Sequence, residues 1–284
     1  MRRGLVTVTV LAAVTAVACG GGKGRDVVVE GTPPATPYSG PLNIPTRELD
    51  GDTPQALLAA SGAAGRALEC DGEMYDGGGP DGWSKGDGGD TPEDGLRLYF
   101  DMFGPQVPRS GYRAERGDAD RVLYSFDVGG RTKVAVVVAR DQQDRPGWGP
   151  ETSASCDPAE LPADFTDSSW HEIWTDEHGE RQPVTRIHTF VGAEHCGWQR
   201  ARFLALGRGA DARTYVRDPD GVLEPGLLNA PYDGDVRMPA DAHDTGYRYE
   251  DRQLWLTDDR ATAYVRTPDG VEAWPSAKDV IACK

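Results

Sequence analysis

The apolar positions of this chain fall into one leader run, two helical stripes and a series of short strand-like segments. Leu5 to Ala18 is a run of 14 apolar and small residues without a charge. Asp52-Thr53-Pro54 sets a capping side chain beside a first-turn proline and predicts a helix to about Leu68, with Leu57, Ala60, Ala64 and Leu68 on one face. Asp90-Thr91-Pro92 predicts a second helix to about Phe103, striped by Leu96, Tyr99, Phe100 and Phe103. Residues 76–89 between them read as a glycine-rich loop.

The remainder reads as strand. Residues 121–128 and 133–139 flank Gly129-Gly130, which readily takes the positive φ of a tight hairpin. Residues 170–175 and 184–191 flank Asp176-Glu177-His178-Gly179, a second hairpin. Four further strands are expected at 202–206, 214–217, 253–256 and 262–265. The pattern predicts an α+β chain, mostly antiparallel β. A first α+β unit at 51–160, with helices packed on a sheet, is joined by a connecting β-hairpin at 161–194 to a second, mostly β unit at 195–284.

The two units resemble each other. Cys70 and Cys156 are 86 positions apart, Cys196 and Cys283 are 87. Gly111-Tyr112-Arg113 and Gly246-Tyr247-Arg248 sit inside these spans. Asp120-Arg121-Val122-Leu123-Tyr124 and Asp251-Arg252-Gln253-Leu254-Trp255 follow them. These coincidences suggest duplication of a disulfide-closed unit, which favours pairing Cys70 with Cys156 and Cys196 with Cys283 among three possible connectivities. Each bridge would contribute at most about 4.5 kcal/mol in the chain-entropy model. A rival repeat pairs Tyr215-Val216-Arg217 with Tyr264-Val265-Arg266, each followed by a Pro-Asp-Gly turn. That spacing suits β-propeller blades, but a propeller needs at least four.

The leader begins with Arg2 and Arg3 and stops at Cys19, followed by three glycines. Its apolar run is too short to span a bilayer and suits a secretory signal at 1–18. The ending resembles the lipobox of bacterial lipoproteins, in which the cysteine becomes the first mature residue and is acylated. Ala16-Val17-Ala18 also fits an ordinary cleavage site, but lipidation of Cys19 leaves four cysteines, an even number suited to an oxidising compartment. Residues 19–50, with Gly20-Gly21-Gly22 and five prolines, read as a lipid-anchored tether. The expected location is extracytoplasmic, on the outer face of the cytoplasmic membrane, with the acyl group as contact to the lipid bilayer.

Charge narrows the partners. The whole chain carries a formal charge of −16, and without Arg2 and Arg3 it has 28 basic against 46 acidic residues. Such a surface repels phosphate backbones, so no nucleic acid is expected as a partner. A cell-wall or protein partner is the open alternative.

Trp170-His171-Glu172-Ile173-Trp174 is the strongest candidate cluster. On a strand, Trp170, Glu172 and Trp174 share one face and could form a ligand platform, while His171 and Ile173 share the other. The competing reading is packing, since large aromatics mostly fill cores. The cluster lacks the second histidine of H-E-x-x-H. Asp76, Asp81, Asp87 and Asp90 could hold calcium, but their spacing departs from the EF-hand loop, and solvated turn residues are expected. The five histidines, 171, 178, 188, 195 and 243, show no ligand spacing, so neither metal nor cofactor is expected. G-x-S-x-G, S-x-x-K and P-loop motifs are missing, so no catalytic residue is assigned.

The leader ending in Cys19, Ala67-Leu68-Glu69-Cys70-Asp71-Gly72, Asp120-Arg121-Val122-Leu123-Tyr124 leading to Lys133-Val134-Ala135-Val136-Val137, and His195-Cys196-Gly197-Trp198-Gln199 together resemble uncharacterised lipoproteins of high-GC Gram-positive bacteria. The resemblance implies location and disulfides and supplies no activity. The expected role is a non-enzymatic binding or interaction module at the cell envelope. The alternatives are a wall-active hydrolase using a carboxylate pair and a scaffold without a small-molecule site.

Overall fold

The structure, a computed structural model, describes residues 26–51, 53–79, 83–103, 106–167 and 171–278. The leader, Cys19, Asp81, Trp170 and Cys283 lie outside the described residues. In chain order the first half contains Pro54–Ala60 (α1), Gly62–Ala67 (α2), Met74–Gly78 (β1), Pro92–Phe103 (α3), Arg113–Gly117 (β2), Arg121–Val128 (β3), Arg131–Gln142 (β4) and Arg145–Cys156 (β5). The strands form one antiparallel sheet in the order β1-β5-β4-β3-β2.

The unbroken apolar run of β4 is explained by burial of both its faces. Val134, Val136 and Val138 pack toward Leu96, Tyr99 and Phe100 of α3. Ala135 and Val137 point the other way, toward Ala63, Ala64 and Ala67 of α2. Gly129 and Gly130 turn β3 into β4 with φ of 60° and 77°, the conformation that a two-residue hairpin requires.

Both helix starts are capped as expected. The Thr53 hydroxyl accepts the Ala56 N–H at 3.2 Å. Thr91 and Asp94 bond reciprocally, side chain to backbone, at 3.2 and 3.0 Å. The first helix is shorter than its stripe suggests. It breaks at Ser61, whose hydroxyl bonds the Leu57 carbonyl, and Gly62 follows at φ 55°. The glycine-rich loop also begins later than expected, because Gly77 and Gly78 belong to β1. A side chain at Gly77 would collide with Ser61.

The second half contains Ala163–Thr166 (α4), His171–Ile173 (β6), Ile187–Val191 (β7), Arg202–Leu206 (β8), Arg213–Arg217 (β9), His243–Tyr249 (β10), Arg252–Leu256 (β11), Thr262–Thr267 (β12) and Gly270–Pro275 (β13). Strands β6-β7-β8-β9 make one antiparallel meander and β10-β11-β12-β13 another. Their facing sides share a core of Trp174, Ile187, Leu204, Tyr215, Leu254, Val265 and Trp274. The edges are stitched as well. Thr175 and Arg248 exchange backbone hydrogen bonds at 2.7 and 2.8 Å, and Tyr215 bridges Ser276. The result is a flattened eight-stranded barrel that leaves few open edges. The hairpin read as a connector is therefore the first pair of barrel strands, and the two meanders face each other where propeller blades would fan out.

Residues read as tether rejoin the body from Asp26 onward. Val29 and Val27 exchange backbone hydrogen bonds with Tyr112 at 2.8 and 2.9 Å, and Leu42 is buried against the α2 face. Prolines kept this segment from looking like an element, but they do not prevent an extended chain from packing.

The architecture is thus α+β with mostly antiparallel sheets. Likeness between the halves is confined to two strands. Tyr124 stands opposite Val136, and Trp255 opposite Tyr264, at matching places in their meanders. Leu123 and Leu254 face away from those aromatics into buried cores. The Gly-Tyr-Arg motifs do not match: Arg113 opposes Ser125, three strand positions beyond the place where Arg248 opposes Gln253. Among the described residues α1, α2 and α3 pack on the first sheet, whereas the two meanders of the second half cover each other.

Candidate functional site

Of the platform residues, Glu172 and Trp174 share one face and meet at Thr189, while Trp170 lies outside the described residues. Trp174 is fully buried, and its indole N–H donates to the Thr189 hydroxyl at 3.1 Å. That hydroxyl donates to Glu172 at 2.5 Å, so Glu172 faces the barrel interior. Trp174 therefore serves the barrel core. Glu172 reaches toward Arg202 at 3.3 Å and Arg252 at 3.9 Å.

Strand alternation sends His171 out of the other face of β6. There it helps to line a cleft of about 620 Å³ between the two halves. Tyr75 and Asp76 come from β1, Tyr99 from α3, and Arg208 and Gly209 from the turn after β8. These residues are far apart in sequence, and no local motif marks them. The one legible signal was the alternation that set His171 opposite Glu172. Burial pushes the His171 imidazole down to about 4, helped by His188, whose ring centroid is 4.9 Å away. His171 is thus a neutral hydrogen-bonding group near pH 7. Burial also raises Tyr75 and Tyr99, which stay protonated phenols.

A second hollow of about 560 Å³ continues past Arg208. The first half offers it Asp71, Glu73 and Glu160, and the barrel offers Arg181, Arg186 and Arg208. The seam is held by specific bonds. Asp157 accepts the Val184 N–H at 3.0 Å, Arg181 donates to the Leu161 carbonyl at 2.8 Å and to Thr166 at 2.6 Å, and Arg208 meets Glu73 at 3.1 Å. Burial raises the Asp157 carboxyl against the pull of the N–H groups of Val184, Ala159 and Thr185.

Two carboxylates of the seam, Asp157 and Glu160, are already occupied. Glu160 accepts Lys133 at 2.6 Å and the N–H groups of Asp71 and Gly72 at 2.8 and 3.0 Å. It sits beside the Cys70–Cys156 disulfide. Those three side chains are the one ligand-distance group of His, Cys, Asp or Glu among the described residues, and its thiols are consumed by each other. Cys196 is disulfide-bonded as well. Of the acidic loop, Asp76 accepts its neighbour Gly77 N–H and Asp87 accepts Ser84 N–H, both as local turns.

No protein-family model, curated protein or solved structure matches this chain.

Proposed function

We propose that this chain is an envelope lipoprotein, exported by residues 1–18, acylated at Cys19 and built to bind a small polar ligand in the cleft between its two halves. The cleft carries the reading. It joins the Tyr75 and Tyr99 rings with the polar groups of Asp76, His171 and Arg208, a mixture that suits the apolar ring faces and hydroxyl or amide groups of a wall glycopeptide. Ligands favour such concave junctions between folded units.

Binding is a better fit than hydrolysis. A hydrolase using two carboxylates needs one free to exchange a proton and one to attack or activate water. The cleft lining among the described residues holds a single carboxylate, Asp76; next to it Asp157 holds three backbone N–H groups, and Glu160 holds Lys133 and two more. Cys196 pairing with Cys283 remains part of this proposal, as does the resemblance to actinobacterial lipoproteins. The burial of Trp174 favours a second reading, a scaffold without a small-molecule site.

Titration calorimetry with soluble glycopeptide fragments of digested peptidoglycan separates the two. We expect saturable binding that His171→Ala and Arg208→Ala each weaken at least tenfold. Absence of binding by every fragment would favour the scaffold.

A further inference from the structure

The barrel has a mouth, and its chemistry differs from that of the cleft. Arg202 on β8 lies directly opposite Arg217 on β9. Like charges so placed repel, so the pairing needs compensation. Glu272 of the facing sheet binds Arg217 through Nε and a terminal nitrogen at 2.8 and 3.0 Å. Glu172 binds Nε of Arg202 at 3.3 Å and lies 3.9 Å from Arg252. Arg200, on the rim, meets Asp220 through Nε at 2.8 Å. The four arginines line a groove of about 330 Å³.

The orientation of these pairs matters more than their number. The Glu172 and Glu272 side chains are 20 % and 14 % exposed, whereas Arg202, Arg217 and Arg252 are 32–36 % exposed. The carboxylates stand behind the guanidinium groups and hold them. Glu172 is fixed from the core side by the Thr189 hydroxyl, which is fixed in turn by the Trp174 indole. Arg252 is further steadied over the Tyr249 ring, 5.5 Å from its centroid. Arg200 and Arg202 are held through Nε, which leaves their terminal N–H groups for a ligand. Counting Arg200, Arg202, Arg217 and Arg252 against Glu172, Asp220 and Glu272, the groove keeps one net positive charge on a chain of −16.

We propose that this barrel mouth binds a phosphate group, free or as a monoester. Barrel mouths are recurrent ligand sites, and guanidinium groups match oxyanions through paired N–H donors. The donors here come from β8, β9, β11 and the loop before β8. A planar carboxylate is satisfied by one or two forks, but a tetrahedral phosphate offers three oxygens to donors arriving from several directions. This site is independent of the inter-unit cleft, and neither proposal depends on the other.

The test is calorimetry at low ionic strength on the full-length protein in phosphate-free detergent, titrated with inorganic phosphate, glycerol 3-phosphate or acetate. We expect one saturable site for phosphate, for glycerol 3-phosphate or for both, with acetate at least tenfold weaker; which phosphate species binds identifies the source. Arg202→Gln with Arg252→Gln should weaken binding at least tenfold, while Arg97→Gln on α3 leaves it unchanged. Arg200→Gln removes the most exposed of the four donors, with little risk to folding, and should weaken binding severalfold. No saturable site in the wild type would overturn the proposal. So would acetate binding as tightly as phosphate, or wild-type affinity in Arg200→Gln together with the double variant.

Discussion

Asp157, the first residue after β5, accepts the backbone N–H of Val184 across the seam between the two halves at 3.0 Å. The same oxygen caps Ala159 at 2.9 Å. One buried carboxylate thus ties the end of the first sheet to the approach to β7. We expect Asp157→Ala to cost about 1–3 kcal/mol, the usual penalty for stranding buried donors. Urea unfolding monitored by tryptophan fluorescence reads it. A variant as stable as wild type would show that the seam is held elsewhere.

The Cys70–Cys156 bridge closes a loop of 86 positions around the first sheet. Replacing both cysteines by serine should cost about 2–5 kcal/mol, the range for exported domains. The comparison is of urea midpoints for the double variant and wild type. Nonreducing peptide mapping should separately find Cys196 joined to Cys283; a Cys19–Cys196 link would contradict both that pairing and acylation of Cys19.

His171 links acidity to stability. Its folded value is about 4, below the ordinary 6.5, chiefly because burial disfavours the charged ring. Above pH 6.5 both folded and unfolded chains hold it neutral, and it contributes nothing. As pH falls from 6.5 toward 4, the unfolded chain takes up a proton that the fold resists, so stability declines over that window. Burial lowers His188 too and adds to the same trend, while Asp157, raised by burial, acts in the opposite sense in the carboxylate range. The difference in unfolding free energy between pH 7.5 and pH 5 should shrink in His171→Phe. An unchanged difference would show that His171 does not link acidity to stability.

Cys19→Ser should abolish acylation, so that the product fails to mature or leaves the membrane. Fractionation with intact-mass measurement decides this, and a variant that stays membrane-bound with an acyl mass would contradict the anchor.

Local signals were legible where local physics decides. Gly129-Gly130 marked its hairpin because only positive φ serves there, and Thr53 and Thr91 marked helix starts because orphan N–H groups need acceptors. The break at Ser61 was hidden, because Ala60, Ala64 and Leu68 continue the helical period through it. Barrel closure was hidden too. The contacts of Thr175 with Arg248 and of Tyr215 with Ser276 are long-range backbone pairings that no side-chain pattern records. Alternation placed His171 opposite Glu172, but it could not say that one side was a cleft and the other a barrel interior. Trp174 looked like a platform because a strand gives no sign of which face a second sheet will cover.

Whether the cleft between the halves is the ligand site is decided by mapping amide and histidine-ring NMR shifts as peptidoglycan fragments are added to the full-length protein. The largest shifts are expected at Tyr75, Asp76, Tyr99, His171 and Arg208, with the barrel mouth at Arg202 and Arg252 unmoved. Shifts confined to other surfaces, or none at saturating fragment, would contradict it.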